Sequence, residues 1–255
     1  MKEKSMSHAA LTNLRHYKFF LLGTSALVCI SLSAPVMAAD FAITSGTTTN
    51  AGNTIDGNDT VTVAGALVTT GVNEGIDTTG GTNKVTVSEA GSITTGTGNN
   101  SEGIANVGDT NVTTVSGSIV TAGDYGHGIY NVGDDNTTTV SGSIGTTGNF
   151  AAGINNDGDR NITTVSGSIV TAGAYAHGIL ISGDNNTTTI AGTISATGTD
   201  SVNVVRVHSG AGNSFTFDEG AVIIGDIAAM SGATNTKLKF NLGQNASYAY
   251  SVGGG

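Results

Sequence analysis

Four aspartates recur at a constant spacing in the middle of this chain, each directly after a glycine. They are Asp109, Asp134, Asp159 and Asp184, with Asp135 and Asp157 close by. Carboxylates held in glycine-rich turns between stacked strands can bind calcium. The nonapeptide pattern of calcium-binding β-rolls is absent, however. We therefore predict solvated turn residues here, and no metal site.

Two histidines, His127 and His177, stand two repeats apart, and each follows a tyrosine by two residues. The repeat between them has Ala152 at the equivalent position. At a strand spacing of about 4.8 Å, two repeats separate the histidines by about 10 Å. Bonds from a metal ion to histidine are only about 2 Å long, so the two cannot share an ion. We predict that both are surface copies of the repeat.

The repeated serines Ser116, Ser141 and Ser166 would be nucleophiles only with a general base in reach, and the G-x-S-x-G motif is absent. Glycoside cleavage needs a pair of carboxylates on adjacent segments. No singular, non-repeating acidic cluster stands out along the sequence. We predict no catalytic residue and no cofactor. A solenoid enzyme that degrades polysaccharide is the first alternative.

Threonines form a further regular set, predicted to point outward in one column. They are Thr114, Thr139, Thr164 and Thr189, and Thr137 and Thr187 complete Thr-x-Thr pairs with two of them. Flat Thr-x-Thr arrays bind ice in some β-solenoids. Val112 and Ile162 interrupt the array in alternate repeats. We predict ordinary β-branched surface residues, with ice binding as the second alternative.

All these residues belong to one motif that returns with a fixed period between positions 111 and 194. The stretch Asn111 to Ile119 (NVTTVSGSI) recurs at 136, 161 and 186. Its short Val-, Ile- and Thr-rich runs are bounded by Gly, Asn and Asp, which is typical of strands and turns. A lone unit of this size cannot bury its apolar side chains, but stacked units can. The prediction is an all-β fold, a β-solenoid (parallel β-helix) of about 25 residues per coil.

Equivalent positions should then form ladders along the stack. Three apolar ladders are predicted to point inward: Val115, Val140, Val165 and Ile190; Ile119, Ile144, Ile169 and Ile194; Ile104, Ile129, Ile154 and Ile179. Gly117, Gly142, Gly167 and Gly192 are predicted at corners that need positive φ. Asn111, Asn136, Asn161 and Asn186 are predicted to bond amide to amide.

Composition narrows the classes of function. The formal net charge is −10, and beyond residue 38 there are five basic against eighteen acidic residues. Such an acidic surface disfavours nucleic acid, because lysine and arginine must neutralise the phosphates. The one cysteine, Cys29, falls in the leader, so the rest of the chain can form neither a disulfide nor a thiolate metal site.

The first 38 residues have the pattern of a secretory signal peptide. A basic region is followed by an apolar run from Phe19 to Ala34 and then by Pro35-Val-Met-Ala38. Val36 and Ala38 are small enough for the −3 and −1 positions, so we predict cleavage between Ala38 and Ala39. Four segments follow: the signal peptide at 1–38, a leading cap and irregular coil at 39–82, the regular solenoid at 83–212, and terminal coils at 213–255.

With these features, nearly all the chain resembles the passenger domain of a bacterial autotransporter (type V secretion). The leader ending at Ala39, the repeat NTTTVSGSI and the tail from Lys237 to Tyr250 carry this resemblance. It implies export through the inner membrane, passage through a C-terminal outer-membrane barrel, and a location at the cell surface, in the outer membrane or outside the cell. The chain departs from the family because the residues of that barrel are absent.

The resemblance also implies a role. The expected function is adhesion or surface display without catalysis. The expected partner is a glycan or protein on a host or neighbouring cell, and no nucleic acid.

Overall fold

The computed structural model describes residues 41–44, 47–50, 53–200, 203–241 and 243, and these contain 25 β-strands and no helix. The strands form three parallel sheets stacked as a solenoid, with successive coils roughly 25 residues apart. The predicted all-β, parallel β-solenoid is confirmed. The signal peptide and the cleavage site at Ala38 and Ala39 lie outside the described residues, as does most of the tail.

The strands, numbered in chain order, are β1 (Phe41–Ile43), β2 (Thr47–Asn50), β3 (Asn53–Asp56), β4 (Thr60–Val63), β5 (Ala66–Thr69), β6 (Ile76–Thr79), β7 (Lys84–Val87), β8 (Ser92–Thr94), β9 (Ile104–Val107), β10 (Val112–Val115), β11 (Ser118–Thr121), β12 (Ile129–Val132), β13 (Thr137–Val140), β14 (Ser143–Thr146), β15 (Ile154–Asp157), β16 (Ile162–Val165), β17 (Ser168–Thr171), β18 (Ile179–Ser182), β19 (Thr187–Ile190), β20 (Thr193–Ala196), β21 (Asn203–Ala211), β22 (Ser214–Phe217), β23 (Val222–Ile224), β24 (Asp226–Thr234) and β25 (Lys237–Phe240).

Every third strand joins the same sheet. Sheet A has nine strands, in the order β1-β4-β7-β10-β13-β16-β19-β22-β25. Sheet B has eight, β2-β5-β8-β11-β14-β17-β20-β23, and sheet C has eight, β3-β6-β9-β12-β15-β18-β21-β24. Each coil therefore contributes one strand to A, then to B, then to C. Chemically equivalent residues of successive coils become neighbours.

The core is one continuous cluster of apolar side chains along the axis. Alternate residues of each four-residue strand point inward, because side chains of a strand alternate between its two faces. All three predicted apolar ladders are confirmed, and their members are at most 1% exposed. The coil beyond Ile190 fills the axis with Phe215 and Phe217, which are also fully buried.

A polar row runs through this core beside the apolar ladders. Asn106, Asn131 and Asn156 of sheet C are buried, and each amide nitrogen donates to a threonine hydroxyl of sheet A at 2.9 to 3.1 Å. The amides also bond to one another at 2.7 Å along the stack. In the next coil Ile181 replaces the asparagine, and among the described residues the buried hydroxyl of Thr188 has no hydrogen-bond partner. The repeat predicts these segments only as apolar strands, so the polar row is a finding of the structure.

The predicted asparagine ladder is present, but its bonding differs from the expectation. The Oδ1 atoms of Asn136, Asn161 and Asn186 each accept the backbone N–H of the asparagine one coil earlier, at 2.8 Å. Direct amide-to-amide bonds occur at Asn83 and Asn111, at 3.1 Å. The ladder thus mainly satisfies turn N–H groups that neighbouring strands leave unpaired.

The corner glycines are required for a different reason from the predicted one. Gly117, Gly142, Gly167 and Gly192 do not have positive φ. Instead, the coils approach so closely that a Cβ on Gly142 would lie 1.9 Å from the carbonyl oxygen of Gly117. Positive φ occurs at the glycines before the repeated aspartates, such as Gly133 (125°) and Gly183 (123°).

Candidate functional sites on the faces of the solenoid

The repeated aspartates accept hydrogen bonds from the backbone of the next coil. Oδ1 of Asp109, Asp134 and Asp159 each accepts the N–H of the aspartate one coil later, at 2.7 to 2.8 Å. The guanidinium of Arg160 bridges Asp134 and Asp135 at 3.2 and 2.8 Å, and this contact lowers the pKa of Asp135. Within the described part of the chain, no group of three or more His, Cys, Asp or Glu side chains could hold a metal ion.

The two histidines are buried, so the prediction of surface positions is wrong. Nδ1 of His127 accepts the backbone N–H of Ala152 at 2.8 Å, and its Nε2 lies 3.2 Å from the amide nitrogen of Asn155. Burial lowers the pKa of His127 to about 4. The ring is therefore neutral at pH 7 and completes the hydrogen bonding of the next coil.

His177 repeats this arrangement with a cationic neighbour. Its Nδ1 accepts the N–H of Asn203 at 3.1 Å, and Nη1 of Arg206 lies 3.1 Å from Nε2. Burial, with the positive charge of Arg206, lowers the pKa of His177 to about 4.

Both histidines belong to a column that also contains two glutamates. Backbone N–H groups of the glycines that follow these residues bond from coil to coil, which places the equivalent residues in line. The column reads Glu74, Glu102, His127, Ala152, His177 and Asn203. We call it the Glu/His column. It changes chemistry from coil to coil, unlike the ladders of the core.

Glu102 is the most perturbed carboxylate of the column. Its side chain is buried, and this burial raises the pKa of Glu102 to about 7, with further contributions from the charges of Glu74 and Asp77. Burial also raises the pKa of Asp77. A carboxyl group whose pKa is raised towards neutral pH has the property of a general acid.

The strand beside the column places a small residue between two polar ones. Along sheet C, Ala105 pairs with Asp77 on one side and Tyr130 on the other. The ring of Tyr130 lies 5.2 Å from that of His127, and burial raises the pKa of Tyr130. This acidic cluster is hidden in the sequence because the step from Glu74 to Glu102 is longer than the period of the repeat, which therefore does not align them.

Three aromatic rings form a second singular feature, next to the column. Tyr125, Phe150 and Tyr175 stack with centroids 4.9 and 5.0 Å apart and interplanar angles of 6°. They are 42 to 47% exposed. Asn100 and Asp200 occupy the equivalent turn positions of the coils on either side. We call the three rings the aromatic ladder.

The predicted outward threonine column is present on sheet A. Thr114, Thr139, Thr164 and Thr189 pair in register across β10, β13, β16 and β19, and all are partly exposed. Val112 and Ile162 also point outward, at the positions of Thr137 and Thr187. Their side chains share one face with the threonines.

Two of the three repeated serines, Ser116 and Ser141, line a shallow depression of about 440 Å³ at the corner between sheets A and B. The hydroxyl of Ser141 donates to that of Ser116 at 3.2 Å, and Glu89 also lines the depression. No histidine lines this depression. The arrangement therefore offers the serines no imidazole base of the kind that activates a nucleophile.

No protein-family profile, no curated protein and no solved structure matches this chain significantly. In the described residues we also find no helix with the length and apolar character that crossing a membrane requires.

Proposed function

We propose that this chain is a secreted or cell-surface binding rod that acts in adhesion or surface display without catalysis. The observation that carries the proposal is the aromatic ladder of Tyr125, Phe150 and Tyr175. Exposed aromatic side chains are enriched where proteins bind partners, because they bury a large area at low cost in conformational entropy.

The backbone conformation of the aromatic ladder supports a functional role for the three rings. All three aromatic residues have φ between 56° and 59°, a conformation that bulky residues rarely adopt. The equivalent residues Asn100 and Asp200 are of the types that tolerate it best. Three successive coils thus place strained aromatic residues where asparagine or aspartate would fold more easily. Strain of this kind concentrates at functional sites.

The turns that present the rings are held from coil to coil. Oδ1 of Asp124 accepts the N–H of Asn149 at 2.9 Å, and Oδ1 of Asn149 accepts that of Ala174 at 3.0 Å. The backbone N–H of each ring residue also bonds to a carbonyl of the next coil. A partner would therefore meet a preorganised surface, which lowers the entropic cost of binding.

Location at the cell surface is part of the same proposal. It is supported by the signal-peptide pattern of residues 1–38 and by the absence of cysteine after Cys29. The resemblance to autotransporter passengers suggests a glycan or protein of a host or neighbouring cell as the partner.

Binding of the full exported chain to cultured cells and to a glycan array tests the proposal. The test variant is Tyr125→Asn/Phe150→Asn/Tyr175→Asn, because asparagine already occupies this turn at Asn100. The control is Val120→Thr/Val170→Thr, which removes exposed apolar groups from sheet B. We expect binding to be lost in the test variant and kept in the control. Equal binding by both would contradict the role of the ladder.

Cleavage of a glycosidic bond is the second candidate, favoured by the Glu/His column. Glu74 and Glu102 lie on adjacent coils, about 4.8 Å apart in the backbone. Retaining glycosidases hold their two carboxyl groups about 5–5.5 Å apart, with the acid at a raised pKa. This candidate requires reducing ends to be released from a polysaccharide panel, and Glu102→Gln and Glu74→Gln each to abolish the release. Binding of the chain to cells or glycans without release of reducing ends supports the proposed binding rod.

A further inference from the structure

The outward face of sheet A carries a threonine column longer than the repeat itself. Seven threonines pair in register over seven consecutive strands from β4 to β22. They are Thr62, Thr86, Thr114, Thr139, Thr164, Thr189 and Thr216. The coil lengths vary at both ends of this run, yet threonine is kept at each position. We call this set the threonine column.

A second outward column runs beside it, two residues earlier on each strand. Over β10, β13, β16 and β19 it consists of Val112, Thr137, Ile162 and Thr187. Over these four strands the two columns together give eight β-branched side chains without a charge. Lys84 borders this array on one side, and Lys237 and Lys239 follow beyond Ser214 and Thr216 on the other.

The array is regular in two directions, and its side chains are conformationally restricted. Its side chains repeat at about 4.8 Å between strands and about 6.6 Å between alternate residues of a strand. β-branched side chains have restricted χ1 rotamers, so the methyl and hydroxyl groups are fixed before any ligand arrives. A disordered polymer gains nothing from such regularity, whereas a crystal lattice matches many groups at once.

We propose that this face of sheet A binds ice, with the threonine column and Val112, Thr137, Ile162 and Thr187 as the contact surface. The proposal is independent of the aromatic ladder, which lies at the turns between sheets B and C. Hydroxyl groups would hydrogen-bond to lattice water, and methyl groups would fill the spaces between water molecules. The chain would then slow the growth of ice crystals.

Thermal hysteresis and inhibition of ice recrystallisation, measured on the full exported chain, test this inference. The test variant is Thr139→Lys/Thr164→Lys, because Lys239 stands at the equivalent outward position one strand beyond Thr216 and shows that this position accepts lysine. The control is Val120→Lys/Val170→Lys, which places the same charges on the outward face of sheet B. Circular dichroism verifies that both variants fold. We expect both activities in the original chain and in the control, and neither in the test variant.

A gain-of-function variant sharpens the experiment. Val112→Thr/Ile162→Thr completes the Thr-x-Thr pairs over four consecutive coils, so the hysteresis should increase. Absence of activity in the original chain, or equal loss in the test and control variants, would overturn the inference. Such a result would leave the proposed binding by the aromatic ladder untouched, because cell binding is measured separately.

Discussion

The environment of Glu102 shows how its position in the coil raises the pKa of a single carboxyl group. The repeat has a histidine or alanine at this position in the next three coils, and there the neutral side chain suits the buried environment. Ionisation of Glu102 would instead place a negative charge in this buried environment, beside the charges of Glu74 and Asp77. The pKa of Glu102 is therefore raised to about 7. Folding therefore favours its protonated form.

The pH dependence of Glu102 follows from this shift. The pKa is about 7 in the folded chain and 4.5 as the reference, so the folded state binds the extra proton between these values. Glu102 consequently destabilises the fold as pH rises from 4.5 to 7. We expect Glu102→Gln to raise the free energy of unfolding by about 1–2 kcal/mol at pH 8 and to leave it unchanged at pH 4. Urea titrations at both pH values measure this, with the exposed Glu89→Gln as the control.

His177 should act in the opposite direction. Its pKa is about 4 in the folded chain against 6.5 as the reference, so the unfolded state binds the extra proton between these values. The stability associated with the neutral ring is present above pH 6.5 and is lost as pH falls towards 4. We expect His177→Ala to flatten the stability profile between pH 6.5 and 4, since alanine occupies the equivalent position at Ala152. An unchanged slope in thermal melts over this range would contradict the prediction.

At the scale of the strand and its corner, close backbone approach decides which residue is allowed. Gly142 and Gly145 are three residues apart in one coil, and only the first lies against the preceding coil. A Cβ at Gly145 would meet nothing within 4 Å, and Val120 and Val170 occupy the same outward column. One glycine is therefore required by packing and the other is not.

Alanine substitutions should separate the two glycines. Gly142→Ala would force the coils apart at the carbonyl of Gly117, and we expect a loss of about 1–3 kcal/mol in the free energy of unfolding. Gly145→Ala should instead stabilise by about 0.5–1 kcal/mol, because alanine loses less backbone entropy in a strand. Denaturant titrations monitored by circular dichroism compare the two. Equal destabilisation would mean that the corner does not depend on close approach.

At the scale of the whole molecule, stability is a sum over coils and the contacts between them. Sheets A, B and C keep a step of 25 residues from Val112 to Thr187, which makes these coils interchangeable. Outside this range the step in sheet A is 20, 24 or 28 before Val112 and 27 or 23 after Thr187. The regular part should therefore tolerate a change in coil number.

Deletion of residues 136–160 removes one complete coil and joins Asp135 to Asn161. All three sheets then remain in register, so we expect a folded chain with the same circular dichroism per residue. Deletion of residues 136–148 removes about half a coil and should abolish the cooperative melt, because every later strand would meet the wrong partner. A folded product from the half-coil deletion would contradict the stacking that defines the solenoid.

The sequence by itself determined the architecture and the apolar ladders. A fixed period with Val, Ile and Thr in alternation leaves stacking as the one way to bury positions such as Val140 and Ile144. The repeat also predicted the outward threonines and the place of Asn136 at a turn. These features depend on pairing between equivalent residues, and the period of the repeat shows directly which residues are equivalent.

Only the tertiary structure decided what happens where the repeat is broken or where residues of different strands meet. The burial of His127, the Asn131–Thr138 contact and the neighbours of Glu102 depend on which side chains of different strands share a face. The requirement for glycine at position 142 also could not be predicted, because the sequence of one coil does not give its distance from the next coil. The repeat shows which equivalent residues stack on one another, whereas the candidate sites form where residues from non-equivalent positions become neighbours.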